Sequence, residues 1–170
     1  MTSPEGESFD EFVRREQAGL VRYAALLAGS RAQGEDLVQD VLVRVLPRWD
    51  RLSREPGGRL AYVRRAVTNE HVSWRRRWST RHIRYLDSAA LPDVPAAAEP
   101  ALDEVLWQRL QRLPAQQRAA LVLRYYEGMP DAEIGELLGC RAATVRAHVS
   151  RGLAQLRVAT GTPEQGRVPR

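Results

Sequence analysis

A chain of 170 residues with 44% apolar content has room for one ordinary domain or two small ones, and enough hydrophobic material for a core. No apolar run approaches the ~18 residues of a bilayer-spanning helix, and the opening MTSPEGESFDEF is acidic and polar; neither a transmembrane helix nor a signal peptide is expected, which places the chain in the cytoplasm. One cysteine, Cys140, excludes an internal disulfide, and three scattered histidines, His71, His82 and His148, give no metal-ligand spacing, so no metal or cofactor is expected.

The formal charge of +5 is unevenly spread. Residues 1–58 carry eight arginines against ten acids, a net of −2, and residues 59–84 carry eight arginines against the lone Glu70, a net of +7. Residues 85–105 carry five acids and no arginine, and residues 106–170 carry ten arginines against five acids. Two basic islands flanking an acidic stretch are the electrostatic footprint of polyanion binding, with nucleic acid ahead of anionic lipid because no strongly apolar face accompanies them. Every basic residue counted is arginine and none is lysine, from which no mechanism follows.

The periodicity is helical almost throughout, without alternating strand-like runs. Ser8 caps a first helix, with Glu11 completing a capping box, and Phe9, Phe12, Val13, Leu20, Tyr23 and Leu27 form its inward stripe up to Gly29. A second helix runs from about Gln33 to Leu46 and stops near Pro47. After the turn-like REPGG at 54–58, a third begins near Arg59 and carries Leu60, Val63, Val67 and Trp74 at near-helical spacing, so Trp74 is expected in the core. The segment LDSAALPDVPAAAEP, 86–100, has three prolines, five alanines and no amphipathic period; it is a linker. Beyond it DEVLWQRLQRL is helical, broken at Leu113-Pro114, and AQQRAALVLRYYEG follows with Gly128 as its C-cap. The expected fold is all-α: two small helical domains joined by a flexible linker, each too small to be very stable alone. The domains span 1–85 and 101–159, with a disordered tail at 160–170.

Residues 131–157, DAEIGELLGCRAATVRAHVSRGLAQLR, read as a short helix with Ile134, Leu137 and Leu138, a Gly139 turn, and a longer helix with Val145, Val149, Leu153 and Leu156 on one side. That is a helix-turn-helix, whose second helix enters the major groove. At ~100° per residue, Ala143, Ala147, Ser150 and Arg151 point outward with Thr144 and Arg146 on the flanks. The arginines suit phosphates or guanine edges, and the short side chains suit close contacts. The plainer alternative is a helical hairpin with a solvated arginine face. Cys140 in the turn reads as a small buried apolar residue, and His148 as boundary packing or a phosphate contact.

The stretch VSWRRRWSTR, 72–81, combines flat aromatics with fixed positive charge, a composition a core would reject because arginines are seldom buried unpaired. Its partner is therefore expected outside the chain.

Three blocks taken in order, GEDLVQDVLVRVLPRW at 34–49, AYVRRAVTNEHVSWRRR at 61–77 and RLPAQQRAALVLRYYEGMPDAEIGELLGCRAATVRAHVSRGLAQLR at 112–157, resemble an extracytoplasmic-function (ECF, group IV) sigma factor of the sigma-70 family, and among these the actinobacterial SigE-like group. The resemblance implies binding to core RNA polymerase through its clamp and flap, opening of the −10 promoter element by the N-terminal domain, and reading of the −35 element by the helix-turn-helix. Asp36, Gln39 and Asp40, one face of the second helix by the i, i+3, i+4 rule, are then the clamp-binding side chains. Asn69 falls where the family reads its captured −10 base, with Ser73 one turn on; Arg75, Arg76, Arg77, Trp78 and Arg81 complete the −10 set, Trp78 as a stacking platform or as core. The −35 set is Arg141, Thr144, Arg146, Ala147, Ser150 and Arg151. The acidic linker would lie along the RNA exit path, and an anti-sigma factor is a further expected partner, since many relatives are held by one. Arg141 departs from the family's usual capping Ser or Thr, which removes a cap worth ~1 kcal/mol. Met129-Pro130 replaces a small polar pair, and Ala147 and His148 stand where Ser and Arg are frequent.

One rival is a stand-alone regulator with a LuxR-type helix-turn-helix, which requires an upstream receiver or ligand domain with strands. Another is a small nuclease using the acids at 35, 36 and 40 around a metal, without the histidines or phosphate-cradling glycines such a site needs.

Overall fold

The computed structural model describes residues 7–81 and 104–158, with side chains placed through Arg77 in the first stretch and throughout the second. The linker at 86–100, the tail and the side chains of Trp78 and Arg81 lie outside the described residues. The order is α1 (Phe9–Ala28), α2 (Arg31–Val45), a 3₁₀ helix (Leu46–Arg54), α3 (Gly58–Arg81), α4 (Glu104–Gln111), α5 (Ala115–Tyr125), α6 (Asp131–Leu138) and α7 (Ala142–Val158). The chain is all-α, and no strand occurs among the described residues.

Helix α1 starts where the sequence says it should. The Glu11 N–H donates to the Ser8 hydroxyl and the Ser8 N–H donates to the Glu11 carboxylate, which satisfies two otherwise orphaned donors. Serine 30 caps α2, two residues earlier than periodicity places the start. Helices α1 and α2 cross closely because Gly34 has no side chain: a Cβ there would lie 2.6 Å from the Ala25 nitrogen. Leu37, Val38, Val41, Leu42 and Val45 fill the seam.

Helix α2 ends at Val45, just before Pro47, which cannot donate to the α-helical ladder. The chain does not turn away there but tightens into the 3₁₀ helix, a continuation absent from the sequence expectation. It carries Trp49 inward against Phe12, at 4.7 Å between ring centroids, and Phe9, at 5.2 Å edge-to-face. The Arg59 guanidinium covers the Trp49 ring at 4.6 Å and donates to the Glu7 carbonyl, which lets an arginine be buried.

On α3, Val63 and Val67 are buried as expected and the Tyr23 and Thr68 hydroxyls hydrogen-bond at 2.6 Å. Trp74 corrects the expected stripe. It is 36% exposed, and the buried positions of that turn are His71 and Val72, because the helix rotates its core-facing side past Trp74.

In the C-terminal half, α5 is buried almost all round, from Gln117 to Leu123, because it lies between α1 and α7. Its ordered helix stops at Tyr125, earlier than a Gly128 C-cap implies. Gly128 does take the left-handed conformation, and Met129 N–H reaches back to the Leu123 carbonyl at 3.1 Å. Ile134, Val145 and Val149 form the helix-turn-helix core, and Gly139 makes the turn at φ 70°.

Candidate nucleic-acid and polymerase interfaces

Helix α2 divides cleanly into two faces. Opposite its valine and leucine seam, Asp36, Gln39 and Asp40 are all exposed, and the stripe continues into Val43 and Leu46, 67% and 50% exposed. That apolar extension was missed from sequence, although Val43 stands three residues beyond Asp40 and Leu46 three beyond Val43, the spacing of a shared helix face.

The residues expected at a −10 strand fall into two groups. Asn69 and Ser73 share a recess of about 320 Å³ between α2 and α3, together with Arg44, Arg48, Tyr62 and Glu70. Glu70, the sole acid of the basic island, accepts from Arg44 at 2.8 Å and from Arg77 at 2.7 Å, and so holds one arginine from each helix at the recess. Those two guanidinium partners, Arg44 foremost, hold its carboxyl below the usual carboxylate range against the opposing effect of burial. Arg44, Arg48 and Tyr62 were not singled out from sequence. Arg44 lies at the end of α2 and Arg48 in the 3₁₀ helix that follows, so no single helical period in the sequence pairs them.

Arg75 and Arg76 belong to the other group, turned toward the C-terminal half. Arg76 donates to the Leu137 carbonyl of α6 at 3.2 Å, and Arg75 lies near enough to Arg118 and His71 to disfavour their charged forms. The structure therefore does not gather the whole expected −10 set at one recess.

On α7, Ala143, Thr144, Arg146, Ser150 and Arg151 are exposed, as is Arg141 just before it, whereas Ala147 is half-buried at the edge of the face. Arg146 is not a purely solvated charge: Asp131, at the start of α6, lies 3.8 Å from it and 3.3 Å from Arg124. His148 is half-buried beside this face, and burial followed by the nearby Arg151 charge lowers its pKa from the ordinary value. Cys140 is half-buried in the turn, not fully enclosed. Among the described residues no group of three His, Cys, Asp or Glu side chains is placed to hold a metal ion, and no helix is long and apolar enough to cross a membrane.

This arrangement of two helical units, an acid-and-amide helix face beside an arginine-edged recess and then a helix-turn-helix, has a counterpart among known proteins. Residues 12–81 match the family described as Sigma-70 region 2, and residues 103–156 match Sigma-70, region 4. The chain belongs to the sigma-70 family of RNA polymerase sigma factors.

Within that family it is an ECF-type factor similar to the actinobacterial sigma-E proteins. It is 36% identical over 154 residues to the RNA polymerase sigma-E factor of Streptomyces avermitilis, covering 88% of this chain and 83% of the relative. It is 32% identical over 163 residues to the ECF RNA polymerase sigma factor SigE of Mycolicibacterium smegmatis, covering 88% and 60%. Among solved structures, the sigma factor RpoE from Bartonella quintana, in complex with the anti-sigma factor NepR, aligns with a TM-score of 0.59 and 25% identity over 89% of this chain and 96% of that one. The chain is accordingly a promoter-directing sigma factor. The stand-alone regulator is not favoured, because residues 12–81, where it would need a strand-containing receiver, match region 2 and are helical.

Proposed function

We propose that this sigma factor divides its work among the three surfaces described above. Asp36, Gln39 and Asp40, extended by Val43 and Leu46, dock the N-terminal domain (1–85) on the polymerase clamp. Asn69 and Ser73 receive an unstacked −10 base in the α2–α3 recess, and Arg44, Arg48 and Arg77 take the adjoining phosphates. The C-terminal domain (101–159) rests on the flap and lays α7 in the major groove of the −35 element, with Arg141, Thr144, Arg146, Ser150 and Arg151 toward DNA and Ala147 at the edge. The linker at 86–100 joins the two.

What carries this reading is that one chain presents all three surfaces exposed and in the order that the two family matches predict. The protein works in the cytoplasm by binding and not by catalysis. An anti-sigma factor is a further partner, supported by the NepR complex of the Bartonella relative.

The test is capture of bacterial core RNA polymerase by the purified protein at moderate salt, followed by run-off transcription on genomic fragments from its host. Stoichiometric capture with new start sites is the expected result and would deliver the promoter sequence. Specific duplex binding by the protein alone, with no capture, would refute it. Purification from its host under repressing conditions, with no inhibitor attached, would count against the anti-sigma partner.

A further inference from the structure

Residues 59–84 set eight arginines around one acid, Glu70. A carboxylate in that island lowers its attraction for phosphates, so affinity alone gives no reason for the acid. Its geometry does. Arg77 stands seven residues on, about two helical turns along α3, and Arg44 reaches across from the end of α2. The carboxylate divides its oxygens between them: Oε2 accepts from Arg44 Nη1 at 2.8 Å, and Oε1 accepts from Arg77 Nη2 at 2.7 Å.

Exposure separates the three partners. The Glu70 side chain is 11% exposed, whereas those of Arg44 and Arg77 are 56% and 57% exposed. An enclosed anion therefore anchors two cations that still face solvent, beside the recess that Asn69 and Ser73 line. An unanchored arginine gives up rotamer freedom when it grips a phosphate; one already held by a carboxylate has given up much of it on folding. Without the acid, two guanidinium groups converging on one edge would also repel each other and splay apart.

We propose that Glu70 is a positioning residue for single-stranded DNA: it sets Arg44 and Arg77 as two fixed arms beside the α2–α3 recess, which take the strand's backbone while Asn69 and Ser73 meet the base. The inference deepens the sigma-factor reading and rests on it for the strand's identity as the −10 element. The arms themselves act on any single strand, because phosphates carry no sequence information. The acid reaches the strand only through the arginines it holds, and its charge opposes binding while its geometry favours it. Those two effects can be separated.

The test uses the full-length protein, with a random-sequence single-stranded 12-mer as the probe and circular dichroism to verify helix content. Glu70→Asp keeps the charge but is one methylene shorter, so it holds one arginine and releases the other. It should bind the 12-mer roughly 2- to 10-fold more weakly, the range expected when one side chain has to be ordered on binding, with an unchanged salt slope. Glu70→Gln adds one net positive charge, so its plot of log affinity against log salt should steepen by about 0.7. Extrapolated to about 1 M salt, where the counterion contribution vanishes, its affinity should nonetheless lie below wild type. In a background of Arg44→Gln with Arg77→Gln, Glu70→Asp should cause no further loss, since the arms it positions are gone. With core polymerase present, Glu70→Asp should reduce permanganate-detected promoter opening by a similar factor and leave polymerase capture intact.

A folded Glu70→Asp that binds the 12-mer as wild type does would overturn the proposal. So would Glu70→Gln with extrapolated affinity equal to or above wild type, because Glu70 would then act through its charge alone. If Glu70→Asp loses helix content, Glu70→Gln decides the matter. A further loss in the background lacking both arginines would make Glu70 a helix-packing residue and overturn its positioning role. Weaker 12-mer binding with unimpaired promoter opening would overturn its part at the −10 element. Weaker 12-mer binding with no polymerase capture, even by wild type, would support the arms and refute the sigma-factor reading.

Discussion

Asn69 is exposed on α3 at a recess whose edges are fixed by a single carboxylate, Glu70. An amide held there can pair with an unstacked base, so Asn69→Ala should weaken promoter opening roughly 5- to 150-fold, at ~1–3 kcal/mol for a base-edge contact. Core polymerase binding should remain, because Asn69 is absent from the α2 face. Permanganate footprinting of the −10 region alongside a core-binding assay separates the two; loss of core binding with normal opening would reverse the assignment. On α7, Arg151→Ala should cost on the order of 1–3 kcal/mol at the −35 site if the side chain reads a base. Titration against −35 and unrelated duplexes checks this, and an equal loss on both would make it a phosphate contact. At this scale the sequence was informative about residue types and less so about their company. Asn69 and Ser73 share a recess, but Arg75 and Arg76 turn toward the C-terminal half. Their partners there are backbone carbonyls and distant charges that no local spacing announces.

The helices themselves were legible because their burial follows a 3.6-residue period. Where boundaries moved, a specific residue moved them: Ser30 starts α2 early, and Pro47 converts its end to 3₁₀ geometry without stopping the chain. Helix α5 was readable as helical but not as central. Its AALVL run signals all-round burial, which becomes meaningful only once α1 and α7 lie on either side. Two predictions belong to this scale. Asp36→Arg with Asp40→Arg should abolish core polymerase capture while leaving the midpoint of thermal unfolding nearly unchanged, because both positions are exposed and opposite the seam. Retained capture would detach this face from the clamp. Ser8→Ala removes the α1 capping box and should lower unfolding free energy by about 1 kcal/mol in a urea titration.

At the scale of the whole molecule, sequence predicted two domains and a linker but not that the domains would close on one another. The tie between halves is the packing of α5 against α1, with Arg118 of α5 donating to carbonyls at the end of α1, and neither contact is announced by local spacing. The same contact region contains His71, 2% exposed, with neither ring nitrogen hydrogen-bonded to protein. Burial first, and then the charges of Arg75 and Arg118, push its pKa from the ordinary 6.5 down to about 3. The sign of the consequence follows from where the proton prefers to bind. Between those two values the unfolded chain takes up a proton at His71 and the folded chain does not, so this residue's contribution is intact above pH 6.5 and is lost progressively as pH falls toward 3. From pH 7.5 to pH 5.5 the expected loss is about 1.4 kcal/mol of unfolding free energy. His71→Leu fills the site with an apolar side chain of similar bulk and sacrifices no hydrogen bond to protein, so its stability should decline less over that interval, by about the same 1.4 kcal/mol. Urea titrations of both proteins at the two pH values measure the difference directly. Parallel declines would mean that His71 is solvated or charged in the folded chain, contrary to its burial.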